Sequence, residues 1–357
     1  MGIFRDVLDI LHTQGLRDGS SLLLKRVSRR TVHLLWLIID IPQAFLQWLS
    51  FFWQSRRYGR RLVCITLIEH LGDIVACEPV ARYVRGKEQN ALIVWCAKRS
   101  YEEIVAQFRG IDGLIHLRCL TTWIALRKWA RFDKIIDLHI NGRSCLLCHI
   151  PLRKEEGDPC ITMSNYLHHG TLLGSFCLSA GLPALNDQPE LKIPKNVVMD
   201  VERWNLFGPL VVIHCLSNET SKNWKLSHWN DLVDQIHKLY GVVVIEIGLQ
   251  SQLNRPDSSY YRNLCGKCSI LQSAELIKRS LLFIGVDSGP AHLANAVGTF
   301  GVILLGDYRA FQQYLPYTGA YADGSGAMLL RAKGEASLIM FSEVIEAVNA
   351  KLATIFC

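Results

Sequence analysis

The sequence has no G-x-G-x-x-G following an apolar run, no Asp-x-Asp pair, and no tract in which basic and aromatic residues interleave. The first absence argues against a dinucleotide-dependent oxidoreductase. The second removes the loop carboxylates that would hold a divalent metal beside a diphosphate, so no metal and no cofactor is expected. The third leaves no nucleic-acid partner in view. Residues 1–20 are polar and helical-looking, without the apolar core and small-residue cleavage site of a secretory leader, so a cytoplasmic location is expected. Charge is sparse as well: 20% of the residues are charged and half are apolar, the balance of a globular protein. The formal charge of +7 over 357 residues is modest and suits an anionic small molecule or an acidic membrane surface. That length points to two domains.

Cysteine is not scarce. Twelve are scattered along the chain, several inside apolar runs (Cys64, Cys77, Cys96, Cys215), where a free thiol behaves as a small hydrophobe. Two C-x-x-C pairs, Cys145/Cys148 and Cys265/Cys268, leave a zinc or iron site built from both pairs as the alternative to ordinary reduced thiols.

Residues 31–53 are rich in Leu, Ile, Phe and Trp, with Lys25, Arg26, Arg29 and Arg30 before them and Arg56, Arg57, Arg60 and Arg61 after. Asp40, Pro42, Gln43 and Gln47 interrupt the run, and a spanning helix needs about 20 apolar residues. Basic residues on both flanks give no asymmetry to orient a span. A segment lying on a membrane surface, or a helix pair packed on the body, fits better.

From residue 61 short apolar runs alternate with longer amphipathic ones. Strands are expected at 61–68, 91–97, 113–117 and 133–140. Helices are expected over 73–86, 100–109 and to about 130, with another beginning at Ser144. Residues 181–209 carry four prolines and read as a linker with one short helix. The pattern then restarts. Strands are expected at 209–216, 241–248, 281–286 and 301–306; helices at 227–240 (Ser227 as N-cap), 273–280, 290–297 and 335–356. Such alternation is the mark of parallel sheets covered on both faces, here in two α/β halves with a cleft between them.

In LLFIGVDSGPAHLANAVGTFGVILLG (281–306) a strand ends at Val286 and Asp287-Ser288-Gly289-Pro290 turns into a helix. Pro290 suits a first helical position. The free N–H groups of such a helix start make a cradle for phosphate, although an ordinary capped junction has the same form. Asp287, Ser288, Gly289, Pro290, His292, Leu293, Ala294, Ala296 and Gly298 together resemble the donor-site signature of glycosyltransferase family 9. That family includes the ADP-heptose:lipopolysaccharide heptosyltransferases. The resemblance implies that Ser288 and Gly289 hold a diphosphate, with Asp287 and His292 in support.

Three further segments resemble the same family. In EHLGDIVACEPVARYVR (69–85), Asp73 matches the position of the catalytic base, which the chemistry needs because a sugar hydroxyl must lose its proton as it attacks. Asp73 as a plain helix cap is the alternative, and His70 is a rival base or an acceptor-binding group. In SNETSKNWKLSHWNDLVDQI (217–236), Lys222 stands where it would neutralise a leaving diphosphate, and Ser217 and Asn218 match phosphate-contacting positions. A solvent lysine on a loop is the alternative there. In DKIIDLHINGRSCLL (133–147) the resemblance places His139, Asn141 and Arg143 toward the acceptor, arginine suiting an anionic sugar.

The resemblance implies a GT-B fold, α/β with two Rossmann-like parallel-sheet domains facing across a cleft. The divisions expected are an N-terminal helical extension (1–59), an acceptor-binding domain (60–190), a donor-binding domain (205–330) and a C-terminal helix (335–357) packing back toward the first domain. The implied activity is an inverting, metal-independent transfer of a sugar from a nucleotide sugar such as ADP-heptose. The acceptor would be a lipopolysaccharide core or another surface saccharide or glycolipid, with peripheral membrane contact through 31–53 on the inner face of a bacterial inner membrane. A different nucleotide sugar, or a non-catalytic nucleotide-sugar-binding role, is the alternative.

Overall fold

The computed structural model describes residues 35–356; the expectations for residues 1–34 lie outside them. The first half opens with helix α1 (Leu35–Arg57). Then come β1 (Arg61–Thr66), α2 (Leu71–Ala76), α3 (Glu78–Lys87), β2 (Ala91–Ala97), α4 (Glu102–Val105), β3 (Gly113–His116), α5 (Leu120–Trp129), β4 (Lys134–Asp137) and α6 (Leu172–Ser179). The second half runs α7 (Lys195–Glu202), β5 (Leu210–His214), α8 (Leu226–Tyr240), β6 (Val243–Glu246), β7 (Tyr261–Asn263), α9 (Ile270–Arg279) and β8 (Leu282–Val286). It closes with α10 (Gly289–Val297), β9 (Gly301–Leu305), α11 (Ala320–Asp323), β10 (Ala327–Arg331) and α12 (Phe341–Phe356).

Two parallel sheets result, a four-stranded one in the order β3-β2-β1-β4 and a six-stranded one in the order β10-β9-β8-β5-β6-β7. Every residue of β2 and β5 is buried, because helices cover both faces and each apolar strand residue finds a partner. Successive side chains point to opposite faces. Thus Val63 and Ile65 pack with α2 and α3, while Leu62 and Cys64 pack with α1 and α5 through Trp48 and Trp123. In the second sheet Val211 and Ile213 meet Trp229 and Leu232 of α8, and Val212 joins the core under α9 and α10. That last core is continuous with the α2–α3 side of the first sheet.

Several expectations need correction. The helix foreseen over 73–86 is two helices meeting at Cys77, because Pro79 has no N–H to carry the ladder through. No helix begins at Ser144; residues 144–151 double back, with Ser144 bridged to Pro151 and Cys145 N–H donating to Ile150 O at 2.9 Å. Helix α8 is capped at Lys225 rather than Ser227. Helix α12 does not return to the first half. Val344, Val348 and Leu352 bury against the second sheet, and Tyr240 of α8 donates to Asn349 at 3.0 Å. Strands β7 and β10 have no counterpart among the expected ones.

Residues 181–209, the expected linker, carry α7. They are tied to both halves: Arg82 of α3 donates to Gln188 O at 2.6 Å, and Gln188 Nε2 to Asn295 O of α10 at 2.9 Å.

Candidate active site

In an open parallel sheet, ligands sit at the carboxyl ends of the strands where the order reverses. The first sheet reverses between β1 and β4, the second between β5 and β8. The segments that follow those four strands carry Asp73, Arg143, Lys222 and Asp287-Ser288. They line one cleft of about 1160 Å³.

The two sheets approach through the starts of α2 and α10. A β-carbon at Gly72 would lie 2.7 Å from His292 Cδ2, and one at Gly289 would lie 3.0 Å from Leu71 Cδ2. Glycine at both places lets the two helix N-termini come together. His70, just before α2, takes a left-handed backbone (φ 65°), a strained conformation for a side chain of its size.

On the second side, Ser288 caps the turn into α10 with Pro290 in the first turn. Its Oγ lies 3.0 Å from His214 Nδ1 and 3.1 Å from Val286 O. When the hydroxyl donates to Val286 O, it accepts from His214 Nδ1–H, which fixes the imidazole tautomer. Burial pushes His214 down to about 4, so the ring is neutral at pH 7. His292, also buried, is pushed below its ordinary value by desolvation, with Asp287 opposing.

Lys222 Nζ lies 2.6 Å from Asp287 Oδ2, over the rings of Tyr308 (4.3 Å to the centroid) and Tyr314 (5.1 Å). Asp287 also accepts from the hydroxyls of Tyr314 and Tyr317, the latter at 2.9 Å. Burial would raise this carboxyl; the neighbouring Lys222, then His292, and the hydrogen bonds hold it down at about 2. An ammonium has three donors, and Asp287 takes one, so Lys222 keeps capacity for an anion in the cleft. Gly306 lets this loop pack tightly, since a β-carbon there would lie 2.3 Å from Ser221 O. Ser217 and Asn218 line the same wall, where Ser217 N–H donates to Asn223 Oδ1 at 2.6 Å.

On the first side, Asp73 stands in the first turn of α2, and Arg143 Nη1 lies 3.6 Å from its Oδ2. Among the described residues Asp73 is the one ion-pair partner of this largely buried guanidinium. His70 lines the cleft as well.

His139 and Asn141, expected beside Arg143, do not line the cleft. His139 is fully buried: its Nε2 accepts Ile68 N–H at 3.1 Å, and its Nδ1 lies 2.7 Å from Asp137 Oδ1. Asn141 Oδ1 accepts Lys154 N–H at 3.3 Å. Both hold the loop that presents Arg143. Glu246 reaches the cleft wall, but its carboxylate is taken by Ser251 Oγ (2.5 Å), Tyr261 (2.5 Å) and Gln252 N–H (3.2 Å). The two C-x-x-C pairs do not combine, for Cys145 and Cys148 pack with Cys119 in the first half, and Cys265 lies by Gly248 in the second.

The sequence reading missed His214, Tyr314 and Tyr317. For His214 a signal existed: a polar residue ending a buried strand at the carboxyl edge of a sheet.

Comparison with known proteins is consistent with this geometry. Residues 176–318 match the family model of glycosyltransferase family 9 (heptosyltransferase). No curated protein matches the chain. A family 9 glycosyl transferase from Veillonella parvula superposes with a TM-score of 0.64 at 17% identity, covering 82% of this chain and 98% of that one. The ADP-heptose lipopolysaccharide heptosyltransferase II of Escherichia coli gives 0.59 at 17% identity, covering 83% and 100%. The iron-containing dodecameric glycosyltransferase TibC of enterotoxigenic Escherichia coli gives 0.57 at 16%, covering 83% and 80%. At such identity these structures share the fold, two parallel-sheet halves facing across a cleft.

Proposed function

We propose that this cleft transfers a sugar from a nucleoside-diphosphate donor to a saccharide acceptor, a reading supported by the match of residues 176–318 to the glycosyltransferase family 9 model. One observation carries the reading: Asp73 from the first sheet and Lys222, Ser288 and Gly289 from the second line the same cleft.

The donor diphosphate lies at the start of α10, where the N–H groups of Ser288 and Gly289 have no partner among the described residues. Asp73 takes the proton of the acceptor hydroxyl as its oxygen attacks the anomeric carbon. The bond to the diphosphate breaks on the opposite face, its electron pair stays on the phosphate oxygen, and the configuration inverts. Lys222 neutralises that developing charge, the task a metal would otherwise perform. Asp287, with the hydroxyls of Tyr314 and Tyr317 on its carboxylate, positions Lys222. Arg143 receives an anionic group of the acceptor, phosphate or carboxylate, which supports a charged lipopolysaccharide core as its class. The donor is ADP-heptose, as in the name of the Escherichia coli heptosyltransferase II.

Helix α1 is long and apolar enough to cross a membrane, yet Leu37, Ala44 and Trp48 are buried against the first half. Its other side exposes Leu35, Ile38, Ile39, Leu46 and Trp53, with Arg56 and Arg57 at the end. That face supports a protein lying on the inner surface of a bacterial inner membrane. Sedimentation with anionic vesicles should carry the protein down at low salt, and Ile38→Glu with Trp53→Glu should leave it in solution. Equal sedimentation of wild type and variant would refute the lipid contact.

A thermal-shift titration with ADP, UDP and GDP tests the donor, followed by mass spectrometry of an acceptor glycan incubated with ADP-heptose. Stabilisation by ADP and a heptose-sized mass gain are expected. Preference for UDP or GDP would replace the sugar, and silence with all three would refute the transferase reading.

A further inference from the structure

Three cysteines from two separate segments meet beside the cleft. Cys119 precedes α5, and Cys145 and Cys148 belong to the doubled-back segment 144–151; their Sγ atoms all lie within 4.8 Å of one another. Cys119 and Cys145 are buried and Cys148 is half-buried. From this geometry we propose that Cys119, Cys145 and Cys148 hold a thiophilic divalent cation, zinc or ferrous iron, outside the sugar-transfer site.

The arrangement of the pair supports a ligand set. Cys145-Leu-Leu-Cys148 closes on itself: His149 N–H donates to Cys145 O at 2.8 Å, and Cys148 N–H points at Cys145 Sγ at 3.5 Å. An N–H aimed at a sulfur favours the thiolate, which is the ligating form. Sulfurs about 2.3 Å from a tetrahedral zinc are about 3.8 Å apart, so this cluster needs only a small contraction to close on an ion. A disulfide would use two of the three sulfurs and leave one over; a metal uses all three. The donors are all soft, which selects zinc or iron over magnesium or calcium. Three sulfurs leave one coordination position, for water or a further ligand.

The location gives the ion a task. The segment it would clamp has little regular structure, yet its neighbours Arg143, Ser144 and Leu146 line the cleft. Backbone bonds from Gly142 N–H to Leu152 O (2.9 Å) and from Leu152 N–H to Arg143 O (2.8 Å) tie Arg143 to the same doubled-back loop. A cation on Cys119, Cys145 and Cys148 would pin that loop to the start of α5 and so fix the guanidinium beside Asp73.

The test uses the full chain, purified under reducing conditions without chelator or immobilised metal. Elemental analysis should find about one equivalent of zinc or iron per chain. Cys145→Ser with Cys148→Ser should abolish it, and Cys265→Ser with Cys268→Ser should leave it in place. Should the first variant fail to fold, cobalt exchange into the wild-type protein decides. Thiolate-to-cobalt charge-transfer bands with the visible spectrum of a tetrahedral site are expected. Metal-free protein that also gives no such bands would overturn the proposal. So would metal that follows Cys265 and Cys268, or a disulfide between any two of the three cysteines in freshly purified protein.

Discussion

Gly72 and His292 meet across the cleft so closely that a single added methyl group would stand 2.7 Å from the imidazole Cδ2. The ring has little room to retreat, since its other neighbour is Tyr317, 4.7 Å away between ring centres. Gly72→Ala should therefore push α2, and Asp73 with it, away from α10. A displacement of about 1 Å costs about 100-fold in turnover. Lys222 and Ser288 stay in place, so ADP affinity should be unchanged. Wild-type turnover in Gly72→Ala would mean that the close approach of the two helices is not needed.

The role proposed for Lys222 is to neutralise the leaving group. At 100 times its dissociation constant, ADP should add about 2.7 kcal/mol to wild-type stability. Lys222→Met should lose most of that gain and about 10²–10³ in kcat. It also leaves Asp287 buried without its cation, so the pair Lys222→Met with Asp287→Asn is the cleaner comparison. If the double variant still binds ADP as wild type does, Lys222 does not contact the diphosphate.

Asp287 makes an acid-dependent contribution. Its folded value of about 2 lies below the ordinary 3.8, so the stability it lends is complete above about pH 4 and is lost as pH falls toward 2. The shift corresponds to about 2 kcal/mol. His214, held at about 4 by burial, loses stability between about pH 6.5 and 4, but equally in wild type and variant. Denaturant titrations at pH 6 and pH 2.5 should thus show the gap between wild type and Asp287→Asn narrowing in acid. A constant gap would mean that Lys222 does not hold this carboxyl in its charged form.

What the sequence disclosed follows from the range of the physics involved. The turn at Asp287–Pro290 was legible because strand end, tight turn and helix start are all local. The partners of Asp287 were not, for Tyr314 and Tyr317 arrive 27 and 30 residues later from a stretch without periodicity. The family resemblance of residues 133–147 points His139 toward the acceptor. Asp137 instead draws it into the interior, where Trp123 Nε1 also donates to that carboxylate at 2.8 Å. The apolar stripe of α12 announced a packed helix but not its partner, and the second sheet takes it. Cys119 gave no sign of joining Cys145 and Cys148, since only the tertiary fold brings the start of α5 to that loop.

Asp73 is proposed to remove the acceptor proton while the opposite wall holds the donor. Turnover of ADP-heptose by Asp73→Asn, with ADP binding measured on the same preparation, tests it most directly. Wild-type ADP affinity and a turnover reduced by about 10²–10⁴ are expected. Undiminished turnover in Asp73→Asn would contradict it and move the base to another group in the cleft.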